Sequence, residues 1–210
     1  MNMQTMTIKK SVIDKWKEKI SYQSISLAIC CGVAAVLLAT VQFYTTPIIA
    51  QRVAEDQNAL LSEVLNGQHF SNQVFANERE IEYDGHFYQL YEAKDHNDEV
   101  LFYVVRGEQE GYSGAIRFLM GVDTLGTIQG VRILSHTETP GLGDKIEKVK
   151  TDWVLGFNLR SLQNTPIWAV KKDGGDFDQF SGATITPRSV VKGVHNALLA
   201  LQQDKESHDE

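Results

Sequence analysis

The sequence predicts an α+β protein, in which a single N-terminal membrane-spanning helix precedes one domain built from an antiparallel sheet and packed helices. Three observations predict this class. A long uncharged segment lies near the N-terminus, four short strand-like segments follow in one block, and an amphipathic helical pattern comes near the end. Strands that lie together in the chain, with helices added later, are typical of α+β folds.

The uncharged segment runs from residue 20 to residue 51. Its most apolar part, residues 25–44, supplies the ~20 residues that a helix needs to cross a bilayer core. A cleaved signal peptide and a buried core helix are the alternatives. The lysine-rich lead is long, no small-x-small cleavage site follows, and the segment has no polar face. We therefore expect a transmembrane helix over residues 25–44.

Charge is distributed unevenly on the two sides of this helix. All five basic residues of the N-terminal part are lysines that precede the apolar segment, in a basic N-terminus assigned to residues 1–24. Arg52 is the first basic residue after it. The positive-inside rule places the basic end in the cytoplasm and the following domain outside it. Residues 45–210 carry 15 basic and 25 acidic residues, which argues against nucleic acid as a partner.

The residues after the anchor predict a helical stalk, residues 45–70, and then the main domain, residues 71–204. Apolar residues recur at helical spacing from Ile49 to Leu65, and the pair Asn66-Gly67 is typical of a helix end. Four segments rich in aromatic and β-branched residues are then separated by turn sequences, at residues 87–93, 100–105, 115–122 and 128–134. They predict an antiparallel meander.

The second half of the domain contains fewer strand signals. Residues 144–154 place Ile146, Val149 and Trp153 on one side of a predicted helix, and residues 167–170 are strand-like. In the last helix, Thr186 is the predicted N-cap, with Pro187 at the first helical position. The chain is polar and charged from residue 202, so a disordered tail is expected, with residues 205–210 outside the domain.

The segment Asp178-Gln179-Phe180-Ser181-Gly182-Ala183-Thr184 lies immediately before the last helix. A helix N-terminus offers unpaired backbone N–H groups and the positive end of the helix dipole, which together favour an anion. Small residues leave this backbone open to close approach, so a phosphate suits the segment. From its spacing alone, the segment is more often only a turn and a helix cap.

A second glycine-containing loop is His136-Thr137-Glu138-Thr139-Pro140-Gly141-Leu142-Gly143. Its glycines allow the backbone to approach a flat ring closely, and Leu142 has the size and apolar character to lie against one face of that ring. The alternative is a plain connector between a strand and the predicted helix that follows.

Together these two segments resemble a known family. Asp178-x-x-Ser181-Gly182-Ala183-Thr184 is similar to the acceptor motif of FMN-binding domains whose flavin is joined through its phosphate to the last threonine. With the Glu-Thr-Pro-Gly-Leu-Gly loop, the sequence most resembles the G subunits of Rnf-type ion-translocating electron-transport complexes. The C subunits of sodium-translocating NADH:quinone reductases are the nearest alternative. The short chain and the sequence that follows Ala183, Thr-Ile-Thr-Pro-Arg, favour the former.

The resemblance implies a flavoprotein subunit that relays electrons through FMN and is not catalytic alone. FMN would be attached to Thr184 as a phosphoester, and Asp178 would help to position the acceptor hydroxyl. The other residues that the motifs place at the cofactor are Ser181, Gly182, Ala183, Glu138, Thr139, Gly141, Leu142 and Gly143. The implied partners are the other membrane and iron–sulfur subunits of the complex, and a flavin transferase. The implied location is the inner membrane, with a periplasmic domain.

Other classes of function stay open from the residues alone. One is a cofactor-free, membrane-tethered scaffold, and a weaker one is an exported hydrolase that uses Ser181 or His136. The Gly-x-Ser-x-Gly elbow is missing, and His136 with Glu138 lacks a third metal ligand. No dinucleotide fingerprint is present, so NADH is not expected to bind. No metal site is predicted, because both cysteines, Cys30 and Cys31, fall within the anchor.

Aromatic residues in small domains mostly belong to the core. We therefore predict that Tyr112, Trp153 and Trp168 are core residues. Phe180 is the exception, because it lies within the acceptor segment, and we expect it near the flavin.

Overall fold

A computed structural model describes residues 20–209 of the chain. The basic N-terminus predicted for residues 1–24 lies outside the described residues up to residue 19, and so does Glu210. By its internal contacts the chain divides into two compact units, residues 1–56 and residues 57–210.

Helix α1, Ile20–Val64, contains the predicted anchor. Within the described part of the chain, it is the helix that is long and apolar enough to cross a membrane, and its apolar side chains from Ile25 to Ile49 are exposed. Pro47 lies inside the helix and has no N–H to donate to the carbonyl four residues earlier, and the hydroxyl of the neighbouring Thr46 donates to the Gln42 carbonyl oxygen (2.7 Å). The helix ends where predicted, because Asn66 and Gly67 adopt left-handed backbone angles.

A five-stranded antiparallel meander forms the centre of the second unit, with the strands in chain order. All four predicted strands are confirmed. The strands are β1 (Arg79–Tyr83), β2 (His86–Lys94), β3 (Val100–Glu110), β4 (Ala115–Asp123) and β5 (Ile128–Ser135). Strand β1 was not predicted, because its residues Arg-Glu-Ile-Glu-Tyr are mostly charged. A two-residue turn, Asp84-Gly85, joins β1 to β2 with positive φ at both positions, as tight hairpins require.

Helix α2, Ile185–Asp209, covers one face of the sheet. Its predicted apolar stripe is buried against the strands, as are the inward-facing residues of β2, β3 and β4. These buried residues include Val190, Val191, Val194, Ala197, Leu198 and Leu201 of the helix, and Tyr88, Leu90, Val105, Ile116, Phe118 and Met120 of the sheet. The α+β class is therefore confirmed, with the main core between the sheet and α2.

A smaller core lies on the other face of the sheet. The last turns of α1 place Leu61, Val64 and Leu65 against β2, β3 and β4. The approach is close, since a side chain at Gly121 would put its Cβ 2.4 Å from the Val64 carbonyl oxygen. This contact fixes the end of α1 to the sheet within the second unit.

Two elements predicted in the second half of the domain are wrong. Residues 144–154 form two short 3-10 turns, Gly143–Ile146 and Trp153–Phe157, instead of one helix. The Thr151 hydroxyl donates to the Lys145 carbonyl oxygen (2.6 Å), which a continuous helix would use for a backbone N–H four residues later. Val149, predicted to share one side of that helix with Ile146 and Trp153, is 85% exposed. Residues 167–170 make only a single bridge, from Val170 to Phe177.

The predicted disorder of the tail is also wrong, because α2 continues to Asp209. Arg79 of β1 donates two hydrogen bonds to Asp204 (2.8 and 2.7 Å), and Lys205 donates to the Thr124 carbonyl oxygen (2.6 Å). Charged residues thus attach the last turns of the helix to the sheet, which a composition argument for disorder does not anticipate.

Candidate functional site

The two predicted segments meet at one cavity of about 180 Å³. Three separate parts of the chain form its wall: the β3–β4 turn, the loop after β5 and the start of α2. The lining residues are Tyr112, Glu138, Thr139, Leu142, Gly143, Gly182, Ala183, Thr184, Ile185 and Thr186. A larger cavity of about 300 Å³ lies beside the C-terminal half of α2, but neither motif contributes to it.

Seven of the ten predicted site residues line this cavity, and three do not. Ser181 and Gly141 are exposed beside it. The Asp178 side chain is exposed as well, and its carboxylate pairs with the ammonium of Lys171 at 2.7 Å. The predicted role of Asp178 at the acceptor hydroxyl therefore has no support from its position in this structure.

Thr184 is the residue that caps α2. The helix begins at Ile185, and the Thr184 carbonyl oxygen accepts a backbone hydrogen bond from Arg188 (3.3 Å). The prediction of Thr186 as N-cap was therefore two residues too late. Pro187 then occupies the third helical position, where its missing N–H costs nothing, because first-turn N–H groups have no partner within the helix.

The start of α2 is a setting that favours an anion. Unpaired N–H groups and the helix dipole supply partial positive charge there. The nearby Arg188 is already engaged, since its guanidinium donates to both carboxylate oxygens of Asp173 (2.7 and 2.9 Å), and this contact lowers the pKa of Asp173. The helix end, rather than this arginine, is the part that faces the cavity.

A buried carboxylate joins the three walls of the cavity. Glu138 is only 4% exposed, and its Oε1 accepts hydrogen bonds from the backbone N–H groups of Tyr112 and Ser113 (both 2.9 Å). Its Oε2 accepts a hydrogen bond from the Thr186 hydroxyl. One side chain therefore connects the loop after β5 to both the β3–β4 turn and the first turn of α2.

Glycines allow these walls to approach so closely. A Cβ on Gly111 would lie 2.5 Å from Oε1 of Glu138. A Cβ on Gly143 would lie 2.9 Å from both Cβ of Glu138 and Oγ1 of Thr186. Both contacts are shorter than packed atoms tolerate, so these two glycines are required by the carboxylate and not only by turn geometry.

His136 supports the same loop and is fully engaged by it. Its Nδ1 accepts the backbone N–H of Glu138 (3.1 Å), so the ring proton resides on Nε2, which lies 2.7 Å from Oε1 of Glu147. Both ring nitrogens are occupied by the protein. This arrangement suits an orienting side chain rather than a base that acts on a substrate.

Comparison with known proteins agrees with the motifs. An FMN-binding domain matches residues 111–199, which include all three walls of the cavity, and an RnfG N-terminal region matches residues 3–64. Proteins named as the G subunit of an ion-translocating oxidoreductase complex are similar over most of their length. That of Stutzerimonas stutzeri is 41% identical over 89% of this chain and 83% of its own, and that of Cereibacter sphaeroides is 45% identical over 87% and 84%.

The chain belongs to this G-subunit family. The family predicted from the two motifs is therefore confirmed. A solved structure, NqrC of Shewanella oneidensis, is 24% identical over 53% of this chain and 54% of its own, with a TM-score of 0.41.

In this member of the G-subunit family, two aromatic residues differ from prediction. Phe180 is 8% exposed and packs against Trp153, with ring centroids 5.2 Å apart, so it belongs to the core. Tyr112, predicted to be core, is 68% exposed and lines the cavity. An aromatic residue inside the turn Gly111-Tyr112-Ser113-Gly114 was the available signal, because turn tips rarely bury a side chain. Trp153 and the remaining tryptophan of the prediction, Trp168, do pack against the core.

Proposed function

We propose that this G-subunit family member is an electron-transfer flavoprotein of a membrane-bound ion-translocating oxidoreductase complex, and that it carries FMN joined by a phosphoester to Thr184. The observation that carries the proposal is the meeting of Thr184, at the start of α2, with the Glu138–Gly143 loop at one cavity. The match of residues 111–199 to an FMN-binding domain supports the identity of the cofactor.

The residues at the cavity fit FMN. Thr184 is half-buried, and within residues 20–209 no group hydrogen-bonds to its hydroxyl, which is therefore available for ester formation. The N–H groups of the first turn of α2 suit the phosphate. Exposed apolar surface on Tyr112, Leu142 and Ile185 suits the flat ring.

Bound FMN supplies the oxidation–reduction chemistry, and the protein supplies its position and surroundings. The start of α2 would hold the phosphate end, and Leu142 and Ile185 would lie against the ring and limit the access of water to it. The hydrogen bond between Glu138 and Thr186 joins the loop that would receive the ring to the first turn of α2. The ester would prevent loss of the cofactor on the outer side of the membrane.

The membrane arrangement is part of the same proposal. Helix α1 is the candidate span, and the five lysines ahead of it favour a cytoplasmic N-terminus and a periplasmic domain in the inner membrane. The names of the relatives refer to a complex, so we expect other membrane and iron–sulfur subunits as partners. A separate flavin transferase would attach FMN.

The test is intact-protein mass and peptide mapping of the full chain, made together with a flavin transferase. We expect an FMN-sized increment on the peptide that contains Thr184, none in Thr184→Ala, and a partial one in Thr184→Ser because the hydroxyl remains. A covalent flavin retained by Thr184→Ala would refute the site. A colourless, unmodified wild-type chain, in cells that modify a control protein, would favour the cofactor-free scaffold.

A further inference from the structure

The hydrogen bonds of Glu138 leave little of its carboxylate for a cofactor. Both oxygens accept bonds from the protein, from the Tyr112 and Ser113 backbone on one side and from the Thr186 hydroxyl on the other. Thr186 is equally enclosed, with 1% of its surface exposed. The resemblance implied that Glu138 borders the flavin, but its contacts indicate a role that it exerts through Thr186.

Thr186 is two residues from the proposed acceptor and belongs to the first turn of α2. Whatever fixes that turn also fixes the backbone of Thr184, which caps it. On the other side, buried Phe180 packs on Trp153, and the Phe180 carbonyl oxygen accepts the Ala183 N–H (3.2 Å). Thr184 therefore lies between two fixed residues of the chain, Phe180 and Thr186, and Thr186 is the nearer of the two in the sequence.

We propose that Glu138 and Thr186 form a positioning pair for the covalent attachment of FMN at Thr184. The carboxylate holds the first turn of α2 against the Thr139–Gly143 loop, so that the acceptor hydroxyl is presented at a fixed distance from the surface that receives the ring. This inference rests on the proposed function.

The step that the pair assists needs no oxidant or reductant. The Thr184 oxygen forms a bond to the phosphorus of the FMN half of FAD, the bond between that phosphorus and the bridging oxygen breaks, and AMP leaves. The hydroxyl proton passes to a base of the transferase. A hydroxyl held in one place raises the rate of such a transfer because less orientation has to be gained in the transition state.

The experiment measures the initial rate of covalent FMN gain by the full chain in detergent, with FAD and a purified flavin transferase, read by intact mass. Thr186→Val keeps the shape of the side chain and removes the donor to Glu138. We expect a rate lower by about tenfold or more, because a hydrogen bond to a charged group is worth about ten- to hundredfold in an equilibrium constant. Thr186→Ser keeps a hydroxyl and is expected to restore most of the rate.

Thr165→Val is the matched control. Thr165 is 1% exposed, and its hydroxyl donates to Oδ1 of Asn164 (2.9 Å), away from the cavity. It should lose melting temperature much as Thr186→Val does, yet gain FMN at the wild-type rate. Equal slowing of both variants would mean that the rate follows stability, and the positioning role would be wrong.

Other outcomes separate this inference from the proposed function. A wild-type chain that gains no FMN contradicts the proposed function itself. If the wild type is modified and Thr186→Val is modified equally fast, only the positioning role fails. Thr186→Ala serves if Thr186→Val does not fold, and failure of both to fold would make the bond purely structural and overturn the inference. The double variant Glu138→Gln/Thr186→Val tests whether Glu138 acts through Thr186. A rate of FMN attachment no lower than that of Glu138→Gln alone supports this route.

Discussion

The sheet core and the cavity are held together in different ways. Between the sheet and α2, many apolar side chains each contribute a share of buried surface, and Phe118, Met120 and Val194 are fully buried there. Around the cavity, three loops meet at one carboxylate, Glu138, through a few hydrogen bonds and two close glycine contacts. A substitution in the core should therefore lower stability in proportion to the apolar surface that it removes. A substitution that breaks the Glu138 contacts should instead loosen the three loops from one another.

The largest expected effect comes from the core. Phe118→Ala removes a fully buried ring between β4 and α2, and we expect a loss of about 3–5 kcal/mol in the free energy of unfolding. Guanidinium unfolding of the full chain in detergent, followed by tryptophan fluorescence, measures it. The control is Phe87→Ala on the other face of the sheet, where the ring is largely exposed and a change below about 1 kcal/mol is expected. Similar losses in both variants would contradict this assignment of the core.

A smaller but more local effect is expected at Gly111. The added methyl group of Gly111→Ala would lie 2.5 Å from the Glu138 carboxylate, so the turn or the carboxylate must shift. We expect a loss of about 2 kcal/mol, together with slower FMN attachment because the shift reaches Thr186. Gly156→Ala is the matched control, since a methyl group there meets no atom within 4 Å. Undiminished stability and attachment in Gly111→Ala would show that the cavity is less tightly joined than described.

The smallest expected effect is a loss of stability at alkaline pH, and it arises from Tyr88 in the core. Burial raises the pKa of Tyr88 from 10.0 to about 12. The folded chain then keeps a proton that the unfolded chain releases, so the associated stability is intact below pH 10 and is lost as the pH rises towards 12. The slope is at most about 1.4 kcal/mol per pH unit. Unfolding measured between pH 9 and pH 11.5 should show a steeper decline for the wild type than for Tyr88→Phe, and parallel curves would contradict it.

The sheet could be predicted well from the sequence and the cavity only in part. Alternating apolar residues mark β2 to β5, and the stripe of α2 is regular, because burial on one face imposes those periods. In place of the helix predicted over residues 144–154 the chain forms two 3-10 turns, and the Thr151 hydroxyl donates to the Lys145 carbonyl oxygen, which a helix would use for a backbone N–H. Propensity alone does not reveal such competition between side chain and backbone.

The hydrogen bonds of Glu138 could not be predicted from the sequence. Its partners are 26 and 48 residues away along the chain, in Tyr112 and Thr186, so no local pattern connects them. The motifs identified Thr184 and the loop that contains Glu138 as a pair, but they assigned Glu138 to the flavin and did not predict its hydrogen bonds to the other two walls. The predictions for Tyr112 and Phe180 were wrong for the same reason. Tyr112 is exposed and Phe180 is buried, because the exposure of a side chain depends on which segments meet in space.

Strand β1 forms one edge of the sheet, and glutamates at Glu80 and Glu82 are exposed along it. A bare strand edge can pair with the same edge of another molecule, and repeated pairing of this kind leads to aggregation. Copies anchored in one membrane would meet in two dimensions, where collisions are frequent. Charge repulsion between the β1 glutamates of neighbouring copies would oppose such edge-to-edge pairing.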